Sequence, residues 1–173
     1  ILLQVAMEPF DYPDNDPGPQ TLLTALTGEQ NIDRLYWMMS RFQGYVGVSS
    51  YMGARFTSNE AAFIPVLKEV AKRGLIYFDD GSSARSLAAQ IPGATHLTFT
   101  EADMAIDTVP TPSEINKSLL RLESAARSNG VAIGTVTALP VSIERIAQWA
   151  KSAESRGFVL VPISIAAARS KSS

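Results

Sequence analysis

Short apolar segments alternate with longer amphipathic segments along the whole chain. Apolar runs of strand length lie at residues 1–6, 45–48, 75–78, 131–136 and 158–163, with a weaker alternating run at 95–100. Between these runs, apolar side chains recur at helical spacing. This order predicts parallel strands that are joined by right-handed crossovers. We therefore expect an α/β fold, either an open sheet or a barrel with fewer strands than a complete one.

Capping signals mark the ends of the predicted helices. Thr27 and Gln30 form a capping box before an apolar stripe that is predicted to be core, formed by Ile32, Leu35, Tyr36, Met39 and Phe42. Ser58 or Asn59 is expected to cap a second helix. The further predicted helices are a short one that ends near residues 91–93, a long one at 110–128 and one at 141–156.

One connection stands out as the expected centre of a site. Residues 45–59 combine a buried strand with a loop that contains Gly53, before the helix that Asn59 introduces. Ligands of parallel α/β proteins bind at the carboxyl ends of strands, where such loops lie. An ordinary connection between a strand and a helix explains the same pattern equally well.

Composition narrows the classes of protein. The chain has 173 residues, of which 46% are hydrophobic and 18% charged, and it has no cysteine. This favours a globular fold with a sizeable core. A net charge of -2 without a basic stripe argues against nucleic acid as a partner. Neither a GxGxxG nor a GxxxxGK[ST] loop occurs, so a nucleotide is not expected. No apolar run has the length of a membrane span.

Carboxylates are the best candidates for chemistry. The single histidine, His96, is insufficient for a zinc site made of several histidines and is expected to be structural. Glu8, Asp79 and Asp107 each follow an apolar run, so a parallel sheet would bring them to one face. There they could act as acid/base groups or bind a hard cation through oxygen. Capping of loops is an equally good interpretation of acids at strand ends.

Several motifs, in order, resemble those of the divergent polysaccharide deacetylase family, which is related to the NodB-type carbohydrate esterases. They are Met7-Glu8-Pro9, Asp16-Pro17-Gly18-Pro19, Tyr51-Met52-Gly53-Ala54-Arg55-Phe56, Phe78-Asp79 and residues 102–107. The resemblance implies one domain over residues 1–166, an incomplete (β/α) barrel, followed by a polar tail at 167–173. It also implies that amino-terminal units precede Ile1 and that the protein is located in the periplasm or the bacterial cell envelope.

The resemblance further implies a site and a function. Glu8, Asp79 and Asp107 would be catalytic, and Tyr51, Arg55 and Asp16 would bind the substrate. Two histidine positions of the family are occupied here by Tyr51 and Thr135. The standard zinc site is thus not expected, and the metal, if a divalent one is used, is not identified. The expected function is hydrolysis of an acylated envelope glycan, and the alternative is a degenerate member of the fold that binds glycan or protein without turnover.

Overall fold

The computed structural model describes residues 1–91 and 96–170. Contacts divide the chain into two compact units, Ile1–Glu101 and Ala102–Ser173. Each unit has a hydrophobic cluster of its own. The expectation of one domain over residues 1–166 stays a prediction.

The first unit alternates strands and helices. Its elements are β1 (Leu2–Met7), α1 (Gly28–Met39), β2 (Gly47–Met52), α2 (Glu60–Lys72), β3 (Ile76–Asp79) and β4 (Thr98–Glu101). The strands form a four-stranded sheet in the order β1-β2-β3-β4, and every neighbouring pair is parallel. This arrangement confirms the predicted α/β class with parallel strands, the kind of unit that an incomplete (β/α) barrel contains.

The register explains how the sheet packs. Val48 pairs with Leu3 on one side and with Tyr77 on the other, so these three side chains share one face of the sheet. The same face carries Val5 and Met7, and all of them belong to the main core. Buried residues of both helices complete this core, namely Leu35, Met38, Met39, Ala62, Phe63, Val66, Leu67 and Val70.

Local capping sets the helix ends. The Thr27 hydroxyl accepts a hydrogen bond from the Gln30 amide while the Gln30 side chain accepts one from the Thr27 amide, which confirms the capping box. Asn59 caps α2 by accepting from the amide of Ala62. The predicted core position of Phe42 is wrong, because α1 ends at Met39 and leaves the Phe42 side chain 64% exposed.

The connection from β3 to β4 differs from its prediction. Residues 81–91 form bends and turns rather than a helix, and residues 92–95, which would complete the predicted helix and begin the predicted strand, lie outside the described residues. The strand itself is present as β4. It begins at Thr98 and ends at Glu101, later than the alternating pattern indicated.

The second unit is mainly helical. Its elements are β5 (Met104–Ala105), α3 (Pro112–Asn129), β6 (Gly134–Thr135), α4 (Pro140–Lys151), a 3-10 turn (Glu154–Arg156) and α5 (Ile163–Ser170). The two strands pair in parallel. Ile106, Ile115 and Leu119 form the buried cluster, against which Leu122, Val141, Ile146 and Trp149 pack.

Of the two strands predicted in this unit, one is shorter than predicted and the other is absent. The run at 131–136 is a strand only at Gly134–Thr135. The run at 158–163 is not a strand: it is irregular up to residue 162, and Ile163 begins α5. Val159 and Leu160 are 74% and 60% exposed. An apolar run becomes a strand only where a neighbouring strand supplies hydrogen bonds, which local pattern does not reveal.

Helix α5 extends into the predicted polar tail as far as residue 170. None of the helices in residues 1–91 and 96–170 combines the length and apolar character needed to cross a membrane.

Candidate functional site

The carboxyl ends of β1, β2 and β3 meet at one edge of the sheet in the first unit. Glu8 follows the last residue of β1, Tyr51 is next to last in β2, and Asp79 ends β3. Since all three strands are parallel and adjacent, their ends are neighbours. Three of the predicted site residues therefore come from one edge of one sheet.

Glu8 is buried and its carboxylate is held from two sides. The amide and the hydroxyl of Thr24 both donate to Oε2, at 2.5 and 2.7 Å. The guanidinium of Arg55 lies 3.4 Å from the other oxygen, Oε1. A buried charge needs such partners, because burial without them is costly. Of the two carboxylate oxygens, Oε1 is therefore the one that faces the partly exposed guanidinium of Arg55.

The loop after β2 is built onto the backbone of Glu8. The amides of Arg55 and Phe56 both donate to the Glu8 carbonyl, each at 3.1 Å. The loop turns through Met52 and Gly53, which have φ of 61° and 78°. A Cβ on Gly53 would lie 2.8 Å from the Cβ of Met7, so only glycine fits here. Glu8 and Arg55 are thus held together by backbone as well as by charge.

Tyr51 and Arg55 carry exposed surface at this edge. The Tyr51 residue is 47% exposed, and the Arg55 side chain is 49% exposed. Arg55 uses part of its guanidinium on Glu8 and has further N–H donors. Exposed donors and an aromatic ring at the same end of the sheet as a buried carboxylate are groups that could contact a polar ligand.

Asp79 is buried and is held by its own loop. Its Oδ1 accepts from the amide of Gly81 at 2.9 Å, and its Oδ2 accepts from the hydroxyl of Ser86 at 2.6 Å. Asp79 follows Tyr77 by two residues and so shares the sheet face that packs on the helices. These contacts anchor the turn after β3, and the donors of Asp79 differ from those of Glu8.

Asp16 lies in the loop after β1 and is exposed. Its Oδ1 accepts from the amide of Gly18 at 2.9 Å, which closes a local turn, and the hydroxyl of Thr21 is 3.4 Å away. The structure thus gives Asp16 a turn-forming contact. Its expected role in substrate binding stays a prediction.

Asp107 belongs to the second unit and is buried there. The Thr137 amide lies 3.2 and 3.0 Å from its two oxygens, and the Ser142 hydroxyl donates to Oδ2 at 2.6 Å. Ser142 is itself fully buried, in the first turn of α4. Asp107 therefore ties the start of α4 to the chain that follows β5.

Sequence reasoning did not identify the groups that hold these carboxylates. Thr24 lies 16 residues from Glu8, and Ser142 lies 35 residues from Asp107. Ser86 belongs to the turns after β3. No local sequence pattern indicates that a hydroxyl donates to a carboxylate far away in the chain. A serine or threonine seven residues after a strand-end acid, as Ser86 is, would have been the nearest signal.

Sequence reasoning also missed Tyr77, which is fully buried in the main core. Its hydroxyl makes no hydrogen bond of normal length and angle within the described part of the chain. Burial raises the pKa of Tyr77 far above its ordinary value, the nearby Ser50 hydroxyl opposes this rise, and the charges of Asp79 and Asp80 add to it. The phenol therefore stays protonated at every physiological pH.

A metal site made of histidine, aspartate and glutamate does not fit the described residues. No group of three or more such side chains within residues 1–91 and 96–170 is placed to hold an ion. Tyr51 and Thr135 stand where the resemblance would put histidines. His96 is exposed, with φ of 55°. The side-chain donors of these residues therefore give no support to the standard zinc chemistry.

These features define a parallel α/β protein with a buried, arginine-paired glutamate at the carboxyl edge of its sheet. The sequence profile of the divergent polysaccharide deacetylase family matches residues 1–166, and the chain belongs to that family. This confirms the family inferred from the motifs.

A solved structure and the curated proteins give two further comparisons. The crystal structure of the uncharacterized protein ATU2773 from Agrobacterium tumefaciens C58 is similar, with a TM-score of 0.91 and 42% sequence identity. The match covers 95% of this chain and 67% of that chain. No curated protein matches.

Proposed function

We propose that the protein is a carbohydrate-active hydrolase that removes acyl groups from a glycan of the bacterial cell envelope. Membership of the divergent polysaccharide deacetylase family supports a carbohydrate ligand. The observation that carries the proposal is the pairing of buried Glu8 with half-exposed Arg55 at the carboxyl edge of the sheet. It puts a carboxylate and a cation next to each other where ligands of parallel α/β proteins bind.

The proposed reaction is hydrolysis of an amide or ester between an acyl group and the sugar. Glu8 Oε1 would take a proton from water, and the water oxygen would form a bond to the acyl carbon. The oxyanion that results would be stabilised by the N–H groups of Arg55 that Glu8 does not use. The proton would then pass from Glu8 to the nitrogen or oxygen of the sugar as its bond to the acyl carbon breaks, and the acyl group would leave as a carboxylic acid, which loses its remaining proton to water.

The other predicted residues have defined places in this proposal. Tyr51 would donate a hydrogen bond from its exposed phenol to the glycan, and Asp16 would contact the glycan from the loop after β1. The catalytic roles expected for Asp79 and Asp107 stay predictions. The hydrogen bonds of both carboxylates support a structural role instead, which is to fix the loops that contain them.

The alternative function is binding of a glycan or protein without turnover. The residues at the two histidine positions favour it, since neither the Tyr51 phenol nor the Thr135 hydroxyl replaces an imidazole as a zinc ligand. Exposed Tyr51 and Arg55 would serve a binding protein as well as an enzyme. We further propose a periplasmic or envelope location, on the basis of the family.

One experiment separates the two functions. The protein is incubated with an N-acetylated β-1,4-linked glucosamine oligomer, and acetate release is measured beside binding by calorimetry, for the wild-type chain and for Glu8→Gln. Release that is lost in the variant while binding is kept supports the hydrolase. Binding without release by the wild-type chain supports the alternative of glycan binding. Absence of both contradicts the hydrolase and the glycan-binding function and leaves a protein as the ligand of the alternative.

Metal dependence is measured on the same samples. Protein purified without chelator is analysed for metal by elemental mass spectrometry, in the wild-type chain and in Asp79→Asn. Near-stoichiometric metal that the variant loses would support a carboxylate site for a cation. Acetate release by metal-free protein would support the direct role of Glu8.

A further inference from the structure

A second aromatic ring lies at the same edge of the sheet, and no motif indicated it. Phe10 follows Glu8 by two residues and is 53% exposed. Two residues span at most about 7 Å between Cα atoms. The backbone of Phe10 therefore lies close to that of the glutamate that the proposed reaction uses.

The backbone around Phe10 is fixed rather than loose. The Tyr12 amide donates to the Pro9 carbonyl at 3.4 Å, and the Asn15 amide donates to the Asp11 carbonyl at 3.1 Å. The first of these turns contains Phe10, and the second follows it directly. A large apolar side chain in such a turn could have been buried in the core, yet more than half of it faces solvent.

Arg85 lies against this ring. Its guanidinium carbon is 5.6 Å from the centroid of Phe10, within the range of a cation–π contact. Arg85 directly precedes Ser86, whose hydroxyl holds Asp79 at the end of β3. The contact between Phe10 and Arg85 therefore connects the segment after β1 with the segment after β3. In the sheet order, β2 and its exposed Tyr51 lie between those two strands.

Phe42 provides an internal contrast. It is also a phenylalanine outside regular structure and is 64% exposed. It lies between the end of α1 and the start of β2, before the amino end of that strand and not after a carboxyl end. Exposure alone thus does not distinguish Phe10. Its neighbours do, since they are a buried glutamate, an arginine and the loops of a candidate site.

We infer that Phe10 and Arg85 form a subsite for a pyranose ring of the glycan, next to the position that Glu8 acts on. The inference rests on the proposed function, since it assumes that the ligand at this edge is a glycan. The apolar face of a sugar would stack on the exposed area of Phe10, and the N–H groups of Arg85 would bond to hydroxyl or carboxylate oxygens at its rim. A ligand of several sugars is therefore expected to bind more tightly than a single sugar.

The test measures binding of the N-acetylglucosamine tetramer by calorimetry to the wild-type chain, Phe10→Ala, Phe10→Trp and the control Phe42→Ala. We expect Phe10→Ala to weaken binding roughly fivefold or more, because a stacking contact is lost. Phe10→Trp keeps the stacking surface and is expected to restore binding, and Phe42→Ala is expected to stay within about twofold of the wild type. Thermal melting followed by circular dichroism checks that each variant is folded.

The outcomes distinguish the subsite from the function. Wild-type binding that Phe10→Ala leaves unchanged would overturn the subsite while the glycan-binding function stands. Equal losses in Phe10→Ala and Phe42→Ala would also overturn it, since the effect would not be specific to this edge. Failure of the wild-type chain to bind the tetramer would contradict the proposed function and the subsite together.

Discussion

Glu8 and Asp107 are both buried acids that follow apolar runs, and their surroundings differ in one respect. Both oxygens of Asp107 accept from the Thr137 amide or the buried Ser142 hydroxyl. Oε1 of Glu8 instead faces Arg55, whose side chain is 49% exposed. A ligand can therefore reach the charge partner of Glu8, while the donors to Asp107 belong to the protein interior and the loop that it fixes.

An acid at a strand end can be reactive or can anchor a loop. Burial and position are shared by the two residues, so neither distinguishes a reactive carboxylate from an anchoring one. The donors do distinguish them, because both oxygens of Asp107 already accept hydrogen bonds from Thr137 or Ser142 and have little capacity for another partner. Glu123 of the second unit is a third buried acid, and its Oε1 accepts from Trp149 at 2.7 Å and from Arg156 at 2.9 Å.

The largest expected effect is on stability, at Asp107. Asp107→Asn puts an N–H group opposite the Thr137 amide or the Ser142 hydroxyl and removes the charge that both donors bind, so we expect the free energy of unfolding to fall by about 3 kcal/mol. Ser142→Ala, which removes one of the hydrogen bonds, is expected to cost about 1 kcal/mol. Urea denaturation followed by circular dichroism measures both. A stable Asp107→Asn variant would break the contrast with Glu8.

The next effect is the pH dependence that Glu123 gives to the second unit. Burial alone would raise the pKa of Glu123, but hydrogen bonds from Trp149 and Arg156 lower it below the ordinary value of 4.5. A lowered pKa in the folded state means that the stabilisation is present above the ordinary value and is lost as the pH falls through the lowered one. We expect Glu123→Gln to cost about 2 kcal/mol at neutral pH and progressively less in acid.

The measurement uses the two tryptophans of the chain, Trp37 and Trp149. In a Trp37→Phe background the remaining fluorescence reports on Trp149, and urea denaturation is repeated between about pH 7 and pH 3. The wild-type residue and the Glu123→Gln variant are compared in this background, and their stabilities are expected to differ most at the upper end of the range. An equal loss of stability in Glu123→Gln at the highest and the lowest pH would contradict the role of the Glu123 charge.

A smaller effect on stability is expected at Glu8. Glu8→Gln keeps an oxygen that can accept from the amide and hydroxyl of Thr24, and it loses the charge that faces the partly exposed Arg55. We therefore expect the free energy of unfolding to fall by about 1 kcal/mol. Thr24→Val removes one donor and is expected to cost about as much. Thermal melting measures both. If Glu8→Gln lowers the stability as much as Asp107→Asn does, Glu8 anchors its loop as firmly as Asp107 does and the two acids do not differ.

The smallest effect is expected at Tyr77. Its buried hydroxyl has no hydrogen bond of normal geometry among the described residues, so Tyr77→Phe removes a poorly paired polar group and keeps the ring in the core. We expect the free energy of unfolding to change by less than about 1 kcal/mol, in either direction. A large loss in urea denaturation would reveal a partner for the phenol.

The elements of the fold that depend on local signals could be predicted from the sequence. The capping box at Thr27, the Asn59 cap and the end of α3 before Gly130 follow from short-range hydrogen bonds and from φ of 79° at that glycine. The wrong predictions concern segments whose structure depends on contacts with distant parts of the chain. The run at 158–163 has strand composition but does not pair as a strand, and Phe42 lies beyond a helix that ends early.

The candidate site divides in the same way. Glu8, Asp79 and Asp107 could be found because each follows an apolar run. Thr24 and Ser142 could not, because they reach their carboxylates over 16 and 35 residues of chain. The resemblance located Arg55, and the ion pair at 3.4 Å became visible only in the structure.

Glu8 is the carboxylate that we propose to act on a ligand at this edge of the sheet. Acetate release from the N-acetylglucosamine tetramer is compared for the wild-type chain, Glu8→Gln and the control Glu101→Gln, whose exposed side chain ends β4 at the same edge of the sheet. We predict that Glu8→Gln stays folded and loses release by at least about a hundredfold, while Glu101→Gln keeps it. Undiminished acetate release by folded Glu8→Gln would contradict the proposed role of Glu8.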